Sequence, residues 1–210
     1  MIFMMNSIRK NVKWIVFFIS LVLFLFIAED VFTKEIMDMD ALGYGFISSF
    51  ISDGATLVMK FITYFGSAYV LIPLTALLFV LTKNKKLNIL IGSNLLLVTF
   101  LNQFLKIVFQ RPRPEEYRLI SESGYSFPSG HSMVSMAFYG LLIYIVYRYV
   151  KNVYVKYGLM VILFMLILFI CISRIYLGVH YTSDVMGGFL LSISYLIVFI
   201  IVTNKFINCE

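Results

Sequence analysis

Residues 157–175 read YGLMVILFMLILFICISRI, a run in which Arg174, close to its end, is the single charged side chain. A helix needs about 20 mostly apolar residues to cross the hydrocarbon core of a bilayer. The run is long and apolar enough to do so, and it predicts a membrane-spanning helix that ends on a cation. An unpaired guanidinium so close to hydrocarbon is unfavourable, which favours a binding role for Arg174 over a solvated charge.

The composition of the whole chain agrees with a membrane protein. Of its 210 residues, 61% are hydrophobic and 13% are charged, and the mean hydropathy is +0.93. A soluble domain is roughly 45–50% apolar and about a quarter charged, so this chain has too few charges to cover a surface that faces water. No linker or low-complexity block divides it, and residues 1–210 are predicted to form a single integral membrane domain.

Six segments are apolar enough to be predicted as spans. They cover residues 13–28, 56–82, 87–109, 131–150, 157–175 and 184–203. The predicted fold is therefore all-α, a six-helix transmembrane bundle. The first span is short and follows Arg9, Lys10 and Lys13, as the apolar part of a signal peptide would. Residues 26–30 (FIAED) lack a small-x-small cleavage site, so this segment is interpreted as an uncleaved span.

The charges are distributed unequally between the two sides of this bundle. Ten cations lie at the chain ends or in the second and fourth loops: Arg9, Lys10, Lys13, Lys83, Lys85, Lys86, Arg148, Lys151, Lys156 and Lys205. Ten of the eleven acids lie on the other side: Glu29, Asp30, Glu35, Asp38, Asp40, Asp53, Glu115, Glu116, Glu122 and Asp184. The positive-inside rule then predicts a multi-pass cell-membrane protein with both termini cytoplasmic. The net charge of +6 is explained by this topology and does not indicate a nucleic-acid partner.

An amphipathic segment, residues 31–53, connects the first two predicted spans. Phe32, Ile36 and Met39 recur at helical spacing beside charged residues, and Phe46 and Phe50 continue the pattern. This pattern predicts a helix lying in the outer interface of the bilayer. The sequence leaves open whether it is a structural connector or an element that admits lipid.

Three polar segments interrupt the apolar pattern, and the predicted topology places all of them at the outer face. They are residues 106–114 (KIVFQRPRP), 128–131 (PSGH) and 173–184 (SRIYLGVHYTSD). Both histidines of the chain, His131 and His180, lie in these segments. Histidine gains and loses a proton near neutral pH, as acid–base and nucleophilic catalysis require.

The third segment predicts an oriented nucleophile. Asp184 follows His180 by four residues, a spacing at which its carboxylate reaches the imidazole on a helix or its entry turn. An aspartate in that place fixes the tautomer and leaves the other ring nitrogen free to attack. Asp184 is also a candidate N-cap of the sixth span, a role compatible with orienting His180.

The first two segments predict an anion site. At Ser129, Gly130 and His131, the amides and dipole of a helix N-terminus point at whatever binds there. Lys106 lies on a polar stripe with Asn94 and Asn102 that should face the bundle interior.

Three cations, Lys106, Arg113 and Arg174, are expected to bind the oxygens of a phosphoryl group. The alternatives are that Lys106 extends to the headgroups and that Arg113 is a solvated loop charge. Arg111 and Arg118 lie outside the pattern and are interpreted as surface charges.

These residues resemble the signature of the type 2 phosphatidic acid phosphatase family, whose core is shared with vanadium haloperoxidases. The signature is Lys-x6-Arg-Pro, Pro-Ser-Gly-His and Ser-Arg-x5-His-x3-Asp. It is met by Lys106 with Arg113-Pro114, by 128–131, and by Ser173-Arg174 with His180 and Asp184. The three motifs are long and ordered, and with the six spans they cover nearly the whole chain.

The resemblance implies hydrolysis of a lipid phosphate at the outer face through a phosphohistidine. His180 would attack phosphorus with support from Asp184, and His131 would protonate the leaving oxygen and later help to activate water. Phosphate-binding roles fall to the three cations and to Ser129 and the Gly130 amide. It also implies an enzyme without a metal or other cofactor, because the cations supply the positive charge.

The substrate class implied is a membrane lipid phosphate: phosphatidylglycerophosphate, phosphatidic acid or undecaprenyl diphosphate. The short chain, rich in Lys, Ile and Phe, is typical of bacteria, which favours the first and the last. Two alternatives remain open, a lipid phosphotransferase that uses the same phosphohistidine and a membrane protein that binds phosphate without hydrolysing it.

Overall fold

The computed structural model describes residues 2–33 and 38–207, and within them the chain is helical without any strand. The helices are α1 (Ile2–Thr33), α2 (Asp38–Ser48), α3 (Asp53–Tyr64), α4 (Ala68–Thr82), α5 (Lys85–Phe109), α6 (Gly130–Tyr149), α7 (Val153–Tyr176) and α8 (Thr182–Ile207). The predicted all-α fold is confirmed. Five of these helices, α1 and α5 to α8, are long and apolar enough to cross a bilayer.

The segment predicted as one span over 56–82 differs from the prediction, because it is divided into α3 and α4. At the break, the Tyr139 hydroxyl donates to the carbonyl of Phe65 over 2.7 Å. Gly66 lies so close to α6 and α7 that a Cβ there would stand 2.7 Å from Cγ2 of Ile170. The absence of a side chain at Gly66 is what lets the backbone at the break approach α6 and α7 this closely.

Helix α2 lies within the segment predicted as interfacial and is joined to α3 at a bend of 119°. Neither helix alone is long enough to span a membrane, but the two taken together are long and apolar enough to form a sixth, bent span. Leu42 and Phe46 on one face of α2 are exposed, whereas Asp40 on the other face is buried. This second face packs on α7 and α8. Lys34, Glu35 and Ile36 of the predicted segment lie outside the described residues.

Helix α6 is at the centre of the bundle and packs against α5, α7 and α8. Its apolar side chains Phe138, Tyr139 and Leu141 are buried in the main core cluster. The side chains of Asn94 and Asn102 on α5 donate to the carbonyls of Ala137, over 3.0 Å, and of Pro128, over 3.1 Å. Both asparagines are buried, which confirms that the polar stripe on α5 faces the interior.

Residues 110–129 connect α5 to α6 and cross the end of the bundle where both histidines lie. Phe127 in this loop is fully buried and packs against Phe24 of α1 and Phe109 of α5. The backbone N–H of Leu119 donates to the carbonyl of Leu177 over 3.0 Å, which ties the loop to the α7–α8 connection. The loop is thus fixed at both of its flanks beside the predicted site.

Candidate active site

The predicted site residues all lie at one end of the bundle, although they come from six parts of the chain. They are Lys106 at the end of α5, Arg113 in the following loop, Ser129, Gly130 and His131 at the start of α6, Arg174 at the end of α7, His180 in the α7–α8 connection, and Asp184 in the first turn of α8. Four different helix ends meet there, which brings side chains that are up to 78 positions apart in the sequence (106 to 184) into one region.

Both ring nitrogens of His180 have partners. Nδ1 lies 3.3 Å from Oδ2 of Asp184 and 3.2 Å from Oγ of Ser126, and Nε2 lies 3.0 Å from Nη1 of Arg113. A guanidinium only donates hydrogen bonds, so Nε2 accepts and holds the lone pair. The proton is therefore on Nδ1, facing Asp184. This is the tautomer in which Nε2 is the nucleophilic atom.

His180 is neutral at physiological pH. Its side chain is nearly fully buried, and burial lowers the pKa of the ring to about 3 even though the nearby Asp184 carboxylate acts in the opposite direction. A neutral imidazole keeps the lone pair that attack on phosphorus requires.

Asp184 is fully buried, and both of its carboxylate oxygens are engaged. Oδ2 accepts from His180, from the hydroxyl of Ser126, and from the backbone N–H of Tyr181 over 2.9 Å. Oδ1 accepts from Nη1 of Arg111 over 2.7 Å. Asp184 is not the N-cap of this helix, because α8 begins at Thr182 and Asp184 lies inside its first turn. From there its carboxylate binds the backbone N–H of Tyr181, the residue before the helix, and also contacts His180.

Arg113 is held by backbone carbonyls on three sides. Its Nε donates to Gly124 over 3.0 Å, Nη2 to Ser123 over 3.1 Å, and Nη1 to Val179 over 2.9 Å. Burial lowers the pKa of its guanidinium, and the nearby Glu122 carboxylate opposes that effect. The alternative of a solvated loop charge is wrong, because the side chain is buried and rigidly placed beside His180.

Arg174 is also buried, with 1% of its surface exposed. Nη1 donates to Oγ1 of Thr63 over 2.8 Å, and Nη2 pairs with Oε1 of Glu122 at 2.5 Å. Burial raises the pKa of Glu122, but the two arginines Arg174 and Arg113 outweigh burial and leave it below its usual value. The Nε of Arg174 is buried and has no partner among the described residues. Its N–H is thus a donor that no described protein group uses.

Lys106 turns inward over the same loop. Its Nζ donates to the carbonyl of Tyr125 over 2.6 Å. This contact is with the active-site loop, so the side chain does not simply extend to the headgroups. One acceptor leaves two of the three ammonium hydrogens for a ligand.

The start of α6 is built differently from a capped helix. Ser129 precedes the helix, and its Oγ accepts from the hydroxyl of Ser132 over 3.1 Å instead of capping a backbone N–H. A Cβ on Gly130 would stand 3.0 Å from Oδ1 of Asn102, so this backbone lies tight against α5. The His131 ring, less deeply buried than His180, makes no hydrogen bond to any other described residue.

The interpretation of Arg111 as a surface charge is wrong. Its side chain is 13% exposed, lies between Asp184 at 2.7 Å and Asp40 at 2.8 Å, and stacks on the ring of Tyr181. Arg118 is exposed, and within the described part of the chain its side chain bonds the carbonyl of Pro114 alone, as expected of a surface charge.

Sequence reasoning also missed four supporting residues: Asp40, Thr63, Glu122 and Ser126. All four lie more than 50 positions from the residues they hold, so no local spacing reveals them. A signal does exist for Asp40. It shares a helical face with Gly43, Tyr44 and Ile47, a face otherwise made of small or apolar residues.

The sequence of this chain is similar to that of a known protein family and to known proteins. The profile of the PAP2 superfamily matches residues 87–208. Phosphatidylglycerophosphatase B of Bacillus subtilis (strain 168) is 35% identical over 150 residues, which cover 65% of this chain and 69% of that protein. Undecaprenyl-diphosphatase of Sulfolobus acidocaldarius is 29% identical over 200 residues, which cover 87% of each chain.

Solved structures share the fold. The crystal structure of a transmembrane PAP2-type phosphatidylglycerolphosphate phosphatase from Bacillus subtilis superposes with a TM-score of 0.79 at 28% identity, covering 91% of this chain and 96% of that one. LpxE of Aquifex aeolicus superposes with a TM-score of 0.62, also at 28% identity, over 77% of this chain and 92% of that one. The matched profile spans more than half of the sequence and includes every predicted site residue, and the chain belongs to the PAP2 superfamily of membrane lipid phosphatases.

Proposed function

We propose that this protein hydrolyses a lipid phosphate monoester or diphosphate through a covalent phosphohistidine on His180. The observation that carries the proposal is the geometry of His180: Nδ1 faces Asp184, and the lone pair of Nε2 faces the guanidinium of Arg113. A phosphoryl group that binds Arg113 is thereby brought against the nucleophilic nitrogen. The buried environment that keeps the ring neutral supports the same role.

In the first step, the Nε2 lone pair attacks phosphorus while the bond from phosphorus to the lipid oxygen breaks. The electron pair of that bond goes to the leaving oxygen, which His131 protonates. Asp184 stabilises the positive charge that develops on the His180 ring. In the second step, His131 removes a proton from water, whose oxygen attacks phosphorus and releases inorganic phosphate and neutral His180.

Cationic groups supply the electrostatic stabilisation of this reaction. Arg113, Arg174 and Lys106 surround the region in front of His180, and the free Nε of Arg174 is a ready donor to an equatorial oxygen. Ser129 and the Gly130 amide complete the phosphate site at the start of α6. We infer that no divalent cation is needed, because three cations already balance the charge of the phosphoryl group.

The proposed substrates are phosphatidylglycerophosphate, phosphatidic acid and undecaprenyl diphosphate, and the names of the two relatives favour the first and the last. The decisive experiment uses purified protein and the three lipids, each with a labelled terminal phosphate. We expect phosphate release and, after rapid quenching, a phosphoprotein that is labile in acid and stable in base, as phosphohistidine is. Release of phosphate without any such phosphoprotein would contradict the mechanism.

A phosphotransferase differs only in the acceptor of the second step. Adding a lipid or sugar alcohol to the assay decides between the two, because a transferase yields a new phosphate ester in place of inorganic phosphate. Binding of the labelled lipids without any turnover is the result expected of a non-hydrolytic phosphate-binding protein.

We further propose that the site faces the outside of the cell, with both termini in the cytoplasm. The charge asymmetry of the loops supports this orientation. Its test is single-cysteine labelling of intact cells with a membrane-impermeant maleimide, in a chain whose native cysteines have been replaced. A cysteine at Glu122 should label, and one at Asn84 should label only after the membrane is broken. The opposite pattern would place the chemistry at the cytoplasmic leaflet.

A further inference from the structure

The half-buried guanidinium of Arg111 connects α2 to the first turn of α8. Its Nη2 lies 2.8 Å from Oδ2 of Asp40, and its Nη1 lies 2.7 Å from Oδ1 of Asp184. Nη1 also donates to Oγ of Ser183 over 2.7 Å. The plane of the guanidinium packs on the ring of Tyr181 at 4.1 Å, which restricts its rotation.

Asp40 is anchored as firmly as Arg111. Its Oδ1 accepts from the backbone N–H of Ser183 over 2.7 Å, and its Oδ2 accepts from the hydroxyl of the same residue over 2.9 Å. Three positions further along α2, a Cβ on Gly43 would stand 2.2 Å from Oγ1 of Thr182, so the α2 backbone lies directly on the first turn of α8. The position of α2 and the position of this turn are thus fixed together.

On the other side of Arg111, the two oxygens of Asp184 have separate tasks. Oδ2 meets His180, Ser126 and the Tyr181 N–H, whereas among the described residues Oδ1 has only Arg111 as a partner. Arg111 therefore fixes the rotation of the Asp184 carboxylate about its Cβ–Cγ bond. That rotation decides whether Oδ2 accepts the Nδ1 proton of His180.

We propose that Arg111 and Asp40 are positioning residues of the reaction: Arg111 orients Asp184 toward His180, and Asp40 holds Arg111 from α2. Neither side chain contacts the attacking nitrogen. The inference rests on the proposed role of His180 as nucleophile. It gives α2 a part in catalysis, through one chain of charge-assisted hydrogen bonds from Asp40 to the imidazole.

A double-mutant cycle tests this chain of contacts. The variants are Asp40→Asn, Arg111→Gln and the two combined, and kcat and KM are measured separately on one lipid phosphate in detergent micelles. We expect kcat to fall roughly ten- to a hundredfold in each single variant, by analogy with the outer-shell residues that orient the ligands of metal sites. KM should change much less, because the phosphate-binding cations are untouched. The double variant should be no slower than Arg111→Gln alone.

Two matched variants control for the change of charge. Asp38→Asn removes the same charge two residues earlier on α2, where the side chain is exposed, and Arg118→Gln removes an exposed arginine from the same loop. Both should leave kcat and KM unchanged. Arg111→Lys keeps the charge, but a single ammonium does not reproduce the planar fork, so it should recover only part of the lost kcat.

The proposal is overturned if folded Arg111→Gln retains the kcat of the parent, if the loss appears in KM alone, or if the losses of the single variants multiply in the double variant. Folding is checked by elution as a single species and by the melting temperature. If Arg111→Gln does not fold, the same cycle with Arg111→Lys decides the question. The parent and His180→Ala are assayed in parallel, because full activity of His180→Ala refutes the proposed function independently of the α2 variants.

Discussion

The two histidines lie a short distance apart at the same end of the bundle, yet their surroundings are opposite. His180 is 2% exposed. Its Nδ1 contacts two protein groups, Ser126 and Asp184, and its Nε2 contacts one, Arg113. His131 is more accessible, and its ring has no hydrogen-bond partner among the described residues. The difference matches the tasks proposed for them. A nucleophile is held in one tautomer and one direction, whereas a general acid must bond to groups that only the substrate and water bring.

Replacing the oriented histidine should have the largest effect. In His180→Ala the nucleophile is missing, so phosphate release should fall by roughly 10⁴-fold or more and no phosphoprotein should form. The measurement is labelled phosphate release by protein that elutes and melts like the parent. Normal turnover by folded His180→Ala would show that His180 is not the nucleophile, and the contrast drawn between the two histidines would then have no basis.

Replacing His131 should lower the rate of turnover less than replacing His180, and by an amount that depends on the substrate. In His131→Ala, turnover of a lipid phosphate should fall by about 10²–10⁴-fold, the usual contribution of a positioned acid or base. An aryl phosphate needs no proton on its leaving oxygen, so its first step should persist while hydrolysis of the phosphohistidine slows. Rapid-quench measurement should then show phosphoprotein accumulating. Equal losses on both substrates, without accumulation, would assign His131 another role.

A smaller effect on activity is expected from Gly66→Ala, a substitution beside His131 that leaves the contacts of His180 in place. In Gly66→Ala the new Cβ would stand 2.7 Å from Cγ2 of Ile170, 2.8 Å from Oγ of Ser135 and 3.1 Å from Cδ2 of His131. Overpacking of this kind typically costs about 1–3 kcal/mol, so the melting temperature in detergent and kcat should both fall.

Gly54→Ala is the control for this substitution, because nothing lies within 4 Å of the Cβ it would add. It should leave kcat unchanged. If Gly66→Ala behaves in the same way, the break between α3 and α4 does not depend on the close approach of Gly66.

The smallest effect is expected from removal of metal ions. Under the proposed function activity should survive EDTA, because Lys106, Arg113 and Arg174 are proposed to balance the charge of the phosphoryl group. Orthovanadate, which adopts the five-coordinate geometry of the transition state, should inhibit competitively in the same buffer. Loss of activity in EDTA that Mg²⁺ restores would show that the cations are not sufficient.

The sequence predicted the contacts that lie close together along the chain better than those that are far apart. The pair His180 and Asp184 follows from a separation of four residues, and the helix start at Gly130 follows from local Ser-Gly chemistry. The environment of Arg111 did not follow, because its partner Asp40 is 71 positions away and becomes visible only when α2 packs on α8. The break at Gly66 was also missed, although Gly66 and the N-cap Ser67 are local signals for it, because the segment was interpreted from its apolar composition as one span.

The packing of α1 has a consequence for the order in which the protein is completed during synthesis. Helix α1 is the first of the described helices in chain order, but it packs chiefly on α8, the last of them. Ser20 and Ser194 share a buried hydrogen bond of 2.7 Å across that pair. During synthesis α1 therefore stays without this partner until α2 to α7 and then α8 itself have been made. Asp184 belongs to α8, so under the proposed mechanism a chain that lacks α8 would leave α1 without its main packing partner and His180 without its carboxylate.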